Sequence, residues 1–263
     1  MHFSLLGPAS SSAMSAIAAL LCLLVFTALP AAAADAAPLA SVRSGSAPIT
    51  TQLPRTVRPT HYDLALASDA AAGCFAAQVV IDVTIVSATD VITLNAADLT
   101  FQRAVLKTRA GGKPMTGVAS LDAANLKASF RSARAVAPGK YRLALHYTGV
   151  IGTQAVGLFS LDYDTSADCK RALYTQFENS DARRMIPSWD EPAYKAGFAV
   201  RAIVPASEMA VSTMSVAGSR KLPDGRNLVT FQPTPIMSTY LLVFGLGEWW
   251  AAMGKPIMCT CYS

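Results

Sequence analysis

The sequence has few of the side chains that most hydrolytic and metal-dependent sites use. Only three histidines occur in 263 residues, and no His-Glu-x-x-His motif is present. That motif places two zinc-binding imidazoles and a water-activating glutamate on one helix. His61 and His146, which a serine triad would also need, each precede a tyrosine in a strand-like pattern. We interpret both as ordinary strand histidines, so the residues alone predict no catalytic and no metal-binding group in this chain.

Charged side chains are also sparse, at 15% of the chain against 52% hydrophobic residues, which excludes a disordered protein. The net charge is +5, but the 22 lysines and arginines are scattered and the aromatic residues do not alternate with them. The sequence therefore does not favour a nucleic-acid partner. It also has no glycine-rich phosphate loop and no strand-helix alternation, which argues against a nucleotide-binding enzyme. One sizeable core is expected.

The amino terminus contains the only long apolar run, residues 16–30. This run is shorter than the about 20 residues that a membrane-spanning helix needs, and small residues follow at Ala31 to Ala34. We predict a signal peptide at residues 1–34, cleaved near Ala33 or Ala34. The protein is then exported to the periplasm or the extracellular space, with no stable membrane span after cleavage.

Two other interpretations of this segment stay open. The first Lys or Arg is Arg43, and His2 is the only basic side chain ahead of the apolar run, which would suit an uncleaved anchor. A lipoprotein with Cys22 as the modified residue is weaker, because the bulky Leu21 directly precedes it.

Removal of residues 1–34 leaves four of the five cysteines. An oxidising compartment permits a bridge between Cys74 and Cys169, each of which is expected in a loop just ahead of a strand, and two separate thiols are the alternative. The pair Cys259 and Cys261 has no third or fourth soft ligand near it, so we do not predict a zinc site there.

The chain after a Ser-, Pro- and Ala-rich lead-in at residues 35–52 shows a hydrophobic period of two, which indicates strands. Val79, Ile81, Val83 and Ile85 share one predicted face, and so do Tyr141, Leu143, Leu145 and Tyr147. The predicted strands cover His61–Ala67, Gln78–Val86, Val91–Asn95, Phe101–Lys107, Tyr141–Thr148, Tyr174–Phe177, Phe198–Val204, Ala210–Met214, Asn227–Phe231 and Ser238–Leu246. About ten short strands with polar turns predict an all-β fold, an antiparallel β-sandwich.

The exception to this pattern is residues 180–196, where the period of two is absent. Asn179, Ser180 or Asp181 could cap one helical turn before Pro187, and a second short turn is predicted around residues 191–195. The adjacent carboxylates Asp190 and Glu191 cannot flank a substrate from two sides. We expect them to cap a turn or to pair with an arginine at position 183 or 184.

Several motifs, in a fixed order along the chain, lie within and on both sides of this segment. They are Leu-Pro-Arg at 53–55, Pro-Thr-His-Tyr-Asp-Leu at 59–64, Gly-Leu-Phe at 157–159, Thr-Gln-Phe-Glu at 175–178, Asp-Ala-Arg at 181–183, Asp-Glu-Pro-Ala-Tyr-Lys-Ala-Gly-Phe at 190–198 and Thr-Pro-Ile-Met-Ser-Thr-Tyr-Leu at 234–241. Together they resemble the amino-terminal region of the zinc aminopeptidases of the aminopeptidase N type. The resemblance covers residues 53–248.

This resemblance implies a saddle-like β domain at residues 53–248, followed in the family by a thermolysin-like domain. That second domain carries the exopeptidase motif, the zinc helix and the catalytic tyrosine, and none of these motifs is found here. The tail at residues 249–263 does not resemble the family's continuation. We therefore expect a chain that is catalytically incomplete alone, through a frameshift, an early stop or a gene fragment, with zinc only in the domain it lacks.

Two residues are implicated in substrate binding by the same resemblance. Gln176 and Glu178 match the positions at which the family's first domain reaches the active site. A carboxylate in a dry pocket binds a peptide α-ammonium far better than it does in water, and the amide adds a neutral hydrogen bond. Arg183, Asp190 and Glu191 are interpreted instead as structural residues of the irregular segment.

A second function, from a different class, stays open at this point. The chain could be a free-standing exported β-rich module that binds peptides or a protein partner on the concave face of its saddle. DNA sequence beyond the codon for Ser263 distinguishes the two, since only the aminopeptidase hypothesis expects a zinc helix to be encoded there.

Overall fold

The computed structural model describes residues 52–164 and 169–249. The predicted signal peptide, all but the last residue of the predicted lead-in, and the tail after Trp249 lie outside the described residues. No helix among the described residues is long and apolar enough to cross a membrane.

The described chain is built almost entirely of strands, which confirms the predicted all-β fold. The strands are β1 (Val57–Asp69), β2 (Cys74–Ile85), β3 (Thr89–Asn95), β4 (Leu99–Thr108), β5 (Met115–Thr116), β6 (Val118–Asp122), β7 (Lys127–Val136), β8 (Gly139–Val150), β9 (Gly157–Asp164), β10 (Cys169–Gln176), β11 (Gly197–Val204), β12 (Met209–Ser212), β13 (Val216–Lys221), β14 (Asn227–Phe231) and β15 (Phe244–Gly247). Two 3₁₀ turns, Ala182–Arg184 and Thr239–Leu241, complete the regular structure of the described residues.

These strands form three sheets. An eight-stranded sheet has the order β13-β14-β11-β1-β2-β8-β4-β5, a four-stranded sheet the order β12-β15-β10-β9, and a three-stranded sheet the order β3-β7-β6. All pairs are antiparallel except β1 with β11, which run parallel from His61 opposite Gly197 to Ala67 opposite Ile203. The long chain between β1 and β11 permits this pairing, because parallel neighbours cannot be joined by a tight hairpin.

The predicted alternation sets the register of the large sheet. Val79, Ile81, Val83 and Ile85 of β2 are at most 2% exposed, and the first three lie opposite the predicted inward residues Leu145, Leu143 and Tyr141 of β8. Burying one Val or Ile side chain stabilises the fold by about 1.5–3 kcal/mol. One continuous core joins this face to Leu173 and Leu246 from the four-stranded sheet, to Phe177 directly after β10, and to Ile92 and Phe130 from the three-stranded sheet.

The structure has more strands than the about ten that the sequence predicted. The additional ones are β5, β6, β7, β9 and β13. β13 is a fully exposed edge strand, so no apolar alternation marks it. In β7, the buried residues are Ala128, Phe130, Ser132 and Val136, and the small Ala128 and the polar Ser132 interrupt the apolar period of two.

The predicted strand Ser238–Leu246 is wrong over its first half. The chain there forms the 3₁₀ turn Thr239–Leu241, and only Phe244–Gly247 is a strand. Ser238 Oγ donates to Pro192 O at 3.1 Å, and Thr239 Oγ1 donates to a carboxylate oxygen of Asp190. These side-chain hydrogen bonds compete with the strand ladder and fix the turn.

The irregular segment has the turns that were predicted for it. The 3₁₀ turn Ala182–Arg184 follows Asp181, and Tyr194 N donates to Glu191 O at 2.9 Å in the second turn. Asp181 makes no side-chain cap. Its carboxylate accepts a hydrogen bond from Arg184 instead.

Cys74 and Cys169 are both exposed, and the structure has no disulfide bond between them. The two residues stand at the first positions of β2 and β10.

Candidate functional site

The carboxyl end of β10 carries Gln176 and Glu178, the two residues predicted to bind substrate. Gln176 is the last residue of the strand, and Glu178 lies in the turn that follows. Both side chains are exposed, whereas Phe177 between them is 2% exposed. Phe177 therefore anchors the end of β10 in the core, and its two neighbours are presented to solvent. The peptide bond between Glu178 and Asn179 is cis.

The polar groups of these two side chains are available to a ligand. Within the described residues, neither the Glu178 carboxylate nor the Gln176 carboxamide has a hydrogen-bond or ion-pair partner. A carboxylate accepts several hydrogen bonds, and an amide offers both donors and an acceptor. The pair is chemically suited to a ligand that is cationic and donates hydrogen bonds.

The strand that leads to this turn is held on both sides. β10 pairs along its length with β9, and Leu173 and Tyr174 pair with β15. Beyond these pairs, Thr175 Oγ1 accepts from Phe244 N at 2.8 Å and donates to Phe244 O at 3.2 Å. This side chain continues the connection to β15 up to the residue before Gln176.

Arg184 holds the turn from the other side. Its Nε donates to Asp181 Oδ1 at 3.0 Å, and a terminal guanidinium nitrogen forms an ion pair with Asp98. Partial burial lowers the pKa of Arg184, but the hydrogen bonds and charges of the two carboxylates together outweigh it, so the pKa of Arg184 is raised. Asp181 N in turn donates to Phe177 O at 3.0 Å, which closes the turn that contains Glu178. We call Arg184, Asp181 and Asp98 the arginine clamp.

Gly157 leaves the space that the clamp needs. It lies opposite Gln176 in the β9-β10 ladder, and its φ is +67°. A Cβ atom at this position would lie 2.8 Å from Arg184 Cβ. The stem of Arg184 therefore packs directly on the backbone of Gly157, beside the end of β10.

A second, buried ion pair supports the same segment. Arg183 donates from its backbone N and its Nε to Asp190 Oδ2, at 3.2 and 3.0 Å, and Thr239 Oγ1 donates to Asp190 Oδ1 at 2.5 Å. Asp190 is 2% exposed. Glu191 Oε1 accepts from Leu53 N at 2.6 Å. The structural interpretation of Arg183, Asp190 and Glu191 is confirmed by these contacts.

Asn95, at the end of β3, joins this ion pair to the core. Its backbone exchanges hydrogen bonds with Ser188 at 2.8 and 3.0 Å, and its Oδ1 accepts from Asp190 N at 3.0 Å. Trp189 N donates to the hydroxyl of Tyr62, whose pKa is raised by complete burial. The irregular segment is therefore a fixed part of the domain rather than a loose insertion.

The sequence had indicated the turn but not the arginine clamp. Asp98 and Arg184 are 86 residues apart in the chain, and their pairing depends on how β4 and β10 lie in the fold. Asp98 lies between β3 and β4 and adopts a φ of +58°. Aspartate and asparagine tolerate this left-handed conformation better than most residues do.

The described residues do not fit a zinc ion. No group of three or more His, Cys, Asp or Glu side chains comes together among them to hold a metal. His61 and His146 are half-buried residues of β1 and β8, as predicted for strand histidines, and they stand in different rows of the large sheet. No catalytic step through a metal is assigned to these residues.

The described residues thus form an all-β domain that presents an exposed carboxylate and an exposed amide on a clamped turn. The family model for the peptidase M1 N-terminal domain matches residues 58–241. The chain therefore belongs to the M1 peptidase family, which confirms the resemblance seen in the motifs.

Similar proteins include aminopeptidase N of Acetobacter pasteurianus, which is 36% identical over 205 residues. This match covers 78% of the present chain and 56% of the relative. Aminopeptidase M1 of Arabidopsis thaliana is 35% identical over 202 residues, which cover 74% of the present chain and 22% of that relative. The puromycin-sensitive aminopeptidase of Caenorhabditis elegans is 34% identical over 199 residues, which cover 75% of the present chain and 21% of that relative. The chain thus spans about half the length of the first relative and about a fifth of the others.

Proposed function

We propose that this chain supplies the amino-terminal domain of an exported zinc aminopeptidase that removes amino-terminal residues from peptides. In this function Glu178 binds the α-ammonium of the peptide, and Gln176 adds a hydrogen bond. The proposal is supported by family membership and by the names of the relatives, all three of which are aminopeptidases.

The observation that carries the assignment is that the Glu178 carboxylate has no partner among the described residues, although the turn that bears it is held in place on both sides. Phe177 is buried on one side of the turn, and the arginine clamp holds the other. Because the backbone that carries Glu178 is already fixed, binding a ligand orders only the Glu178 side chain, so more of the interaction energy contributes to affinity.

Glu178 alone would bind an ammonium weakly, because it is exposed. A single charge pair at 4 Å contributes about 1 kcal/mol in bulk water and about 4 kcal/mol at an effective dielectric constant of 20. The proposed role therefore requires a second domain that covers the turn and excludes water. Under this proposal the zinc ligands and the hydrolytic groups belong to that second domain, while Glu178 and Gln176 bind and orient the substrate.

A chimera tests this function. Residues 53–248 would replace the matching segment of Arabidopsis aminopeptidase M1, and aminoacyl reporter hydrolysis would be measured for the chimera and for its Glu178→Gln variant. We expect kcat/KM to fall about ten-fold to a hundred-fold, because one charge-assisted hydrogen bond is lost. The Gln176→Ala variant should lose less, since it removes a neutral partner.

The matched control is Glu208→Gln, which removes the same charge from the connection between β11 and β12. It should leave kcat/KM unchanged, and zinc content should be equal in all variants. Equal kcat/KM for the chimera and its Glu178→Gln variant would show that the carboxylate is a surface charge, and the proposed substrate site would be wrong.

Export is part of the same proposal. It is supported by the apolar run at residues 16–30 and the small residues that follow. Expression of the full chain in a bacterial host, followed by amino-terminal sequencing of the periplasmic protein, tests it. The expected new amino terminus lies at Ala34 or Asp35. Recovery of the uncleaved chain in the membrane fraction would favour the anchor instead.

A further inference from the structure

The eight-stranded sheet has a second face, opposite the core, on which the cross-strand neighbours are known from the register. One row across this face consists of His61, Asp82, Arg142 and Lys107, on β1, β2, β8 and β4. The next row toward the end of the sheet consists of Arg58, Thr84 and Lys140. Arg109 joins that row, because its backbone N donates to Lys140 O at 3.0 Å.

These two rows concentrate positive charge. They contain Arg58, Lys107, Arg109, Lys140 and Arg142, and their one carboxylate is Asp82. Lys107 lies directly opposite Arg142, an arrangement of like charges that destabilises a sheet. Arg58, Lys107 and Lys140 have no ion-pair partner among the described residues. The local charge excess is therefore not neutralised by the described part of the chain.

Asp82 holds two of the arginines in place and leaves most of their N–H donors unbonded. Its carboxylate accepts from Arg142 Nε at 2.9 Å and lies 3.5 Å from a terminal nitrogen of Arg109. The Asp82 side chain is 11% exposed, whereas the arginines are 54% and 50% exposed. Each guanidinium has five N–H donors, so most of them stay available to a ligand.

A cleft lies over this cluster. It has a volume of about 640 Å³ and is lined by Thr60, His61, Asp63, Val80, Asp82, Arg109 and Arg142. The other carboxylate that lines the cleft, Asp63, forms an ion pair with Arg201, whose Nη2 lies 2.8 Å from Asp63 Oδ1. The volume falls in the range of about 300–1,000 Å³ that small-molecule sites usually have.

We propose that this cleft binds a small phosphate-bearing anion between Arg109 and Arg142. Guanidinium groups recognise phosphate through paired N–H donors, and Asp82 holds both groups in place. Neighbouring rows on one face of a sheet are two residues apart along each strand, which is about 7 Å. A cluster of two such rows therefore matches one or two phosphate groups rather than a long polyanion. The site is separate from Glu178 and does not depend on the proposed function.

The test is calorimetric titration of inorganic phosphate into the purified chain, with ionic strength held constant by sodium chloride. The double variant Arg109→Gln with Arg142→Gln removes the proposed donors. A matched control, Arg134→Gln with Arg220→Gln, removes two exposed arginines on other strands. We expect saturable binding at one site in the parent and the control, and affinity weaker by about ten-fold or more in the cleft variant.

Three results would overturn the proposal. They are the absence of saturable phosphate binding to the parent chain, equal affinity in the cleft variant and the parent, and equal loss in the control and the cleft variant. Cosedimentation with phosphatidylglycerol vesicles by a chain that does not bind inorganic phosphate would assign the patch to a lipid surface, which also contradicts a small-anion cleft.

Discussion

Replacing Arg183 by methionine is expected to destabilise the domain strongly, because the change leaves the buried Asp190 carboxylate without its counter-ion. The Arg183 side chain is 14% exposed and that of Asp190 is 1% exposed. Methionine keeps the apolar stem but removes the hydrogen bonds from Arg183 to Asp190 Oδ2 and to Asp190 O. The carboxylate then retains only the Arg183 backbone N and the Thr239 hydroxyl.

The magnitude follows from the burial. Breaking a buried ion pair by removing one partner costs about 3–5 kcal/mol, because the other charge stays desolvated. A domain of this size loses about 2–4 °C in Tm for each kcal/mol, so the expected decrease is about 6–20 °C. Since total stabilities are usually about 5–15 kcal/mol, this is a large fraction of the whole.

Thermal and urea unfolding, followed by circular dichroism, would measure the effect. The matched control is Arg226→Met, which breaks an ion pair with Asp224 whose side chains are 46% and 48% exposed. An exposed pair contributes at most about 1 kcal/mol. If Arg183→Met cost no more than Arg226→Met, the buried ion pair could not be what holds the irregular segment.

Three further predictions follow from the sequence and the structure. Gly157→Ala should destabilise the fold by about 1–3 kcal/mol more than Gly225→Ala in urea unfolding, because both glycines have positive φ but only a Cβ at Gly157 clashes with Arg184. An equal cost for the two substitutions would contradict the clamp. Burial raises the pKa of Tyr62 and Tyr147 above the ordinary 10.0, so the unfolded chain loses these protons first. The contribution of these two tyrosines to stability should be constant below about pH 10 and fall above it by up to about 2.7 kcal/mol per pH unit. A folded parent chain whose tyrosinate absorbance near pH 10 exceeds that of its folded Tyr62→Phe and Tyr147→Phe variants would be inconsistent with this. The purified chain should hydrolyse no aminoacyl reporter with or without zinc, since it contains no His-Glu-x-x-His, and chelator-sensitive turnover would refute this.

The large sheet could be predicted from the sequence because its inward positions are large and apolar. The alternation of large apolar residues such as Val79, Ile81 and Leu143 with more exposed ones is enough to predict their strands. The register then follows from burying these residues on one face of the sheet. The edge strand β13 has no buried residue, so the same rule has nothing to detect there. Ser238–Leu246 was mispredicted because its hydroxyls bond to the irregular segment, which is a tertiary effect.

The candidate site was predictable in part for similar reasons. Gln176 and Glu178 were found through motif resemblance, and the structure adds that both are exposed beside a buried Phe177. Asp190 and Arg183 are seven residues apart, close enough for a local pattern to suggest their pairing. The Arg184 contact with Asp98 joins distant parts of the chain, and only the fold brings them together.

The most direct test of the proposed role of Glu178 is a double-mutant cycle between its carboxylate and the ligand's amine. In the chimera, a competitive inhibitor with a free α-ammonium and its des-amino analogue would be compared for Glu178 and for Glu178→Gln. We predict that the substitution weakens the ammonium inhibitor by about ten-fold or more and leaves the des-amino analogue nearly unchanged. Equal weakening of both inhibitors would show that Glu178 does not bind the α-ammonium.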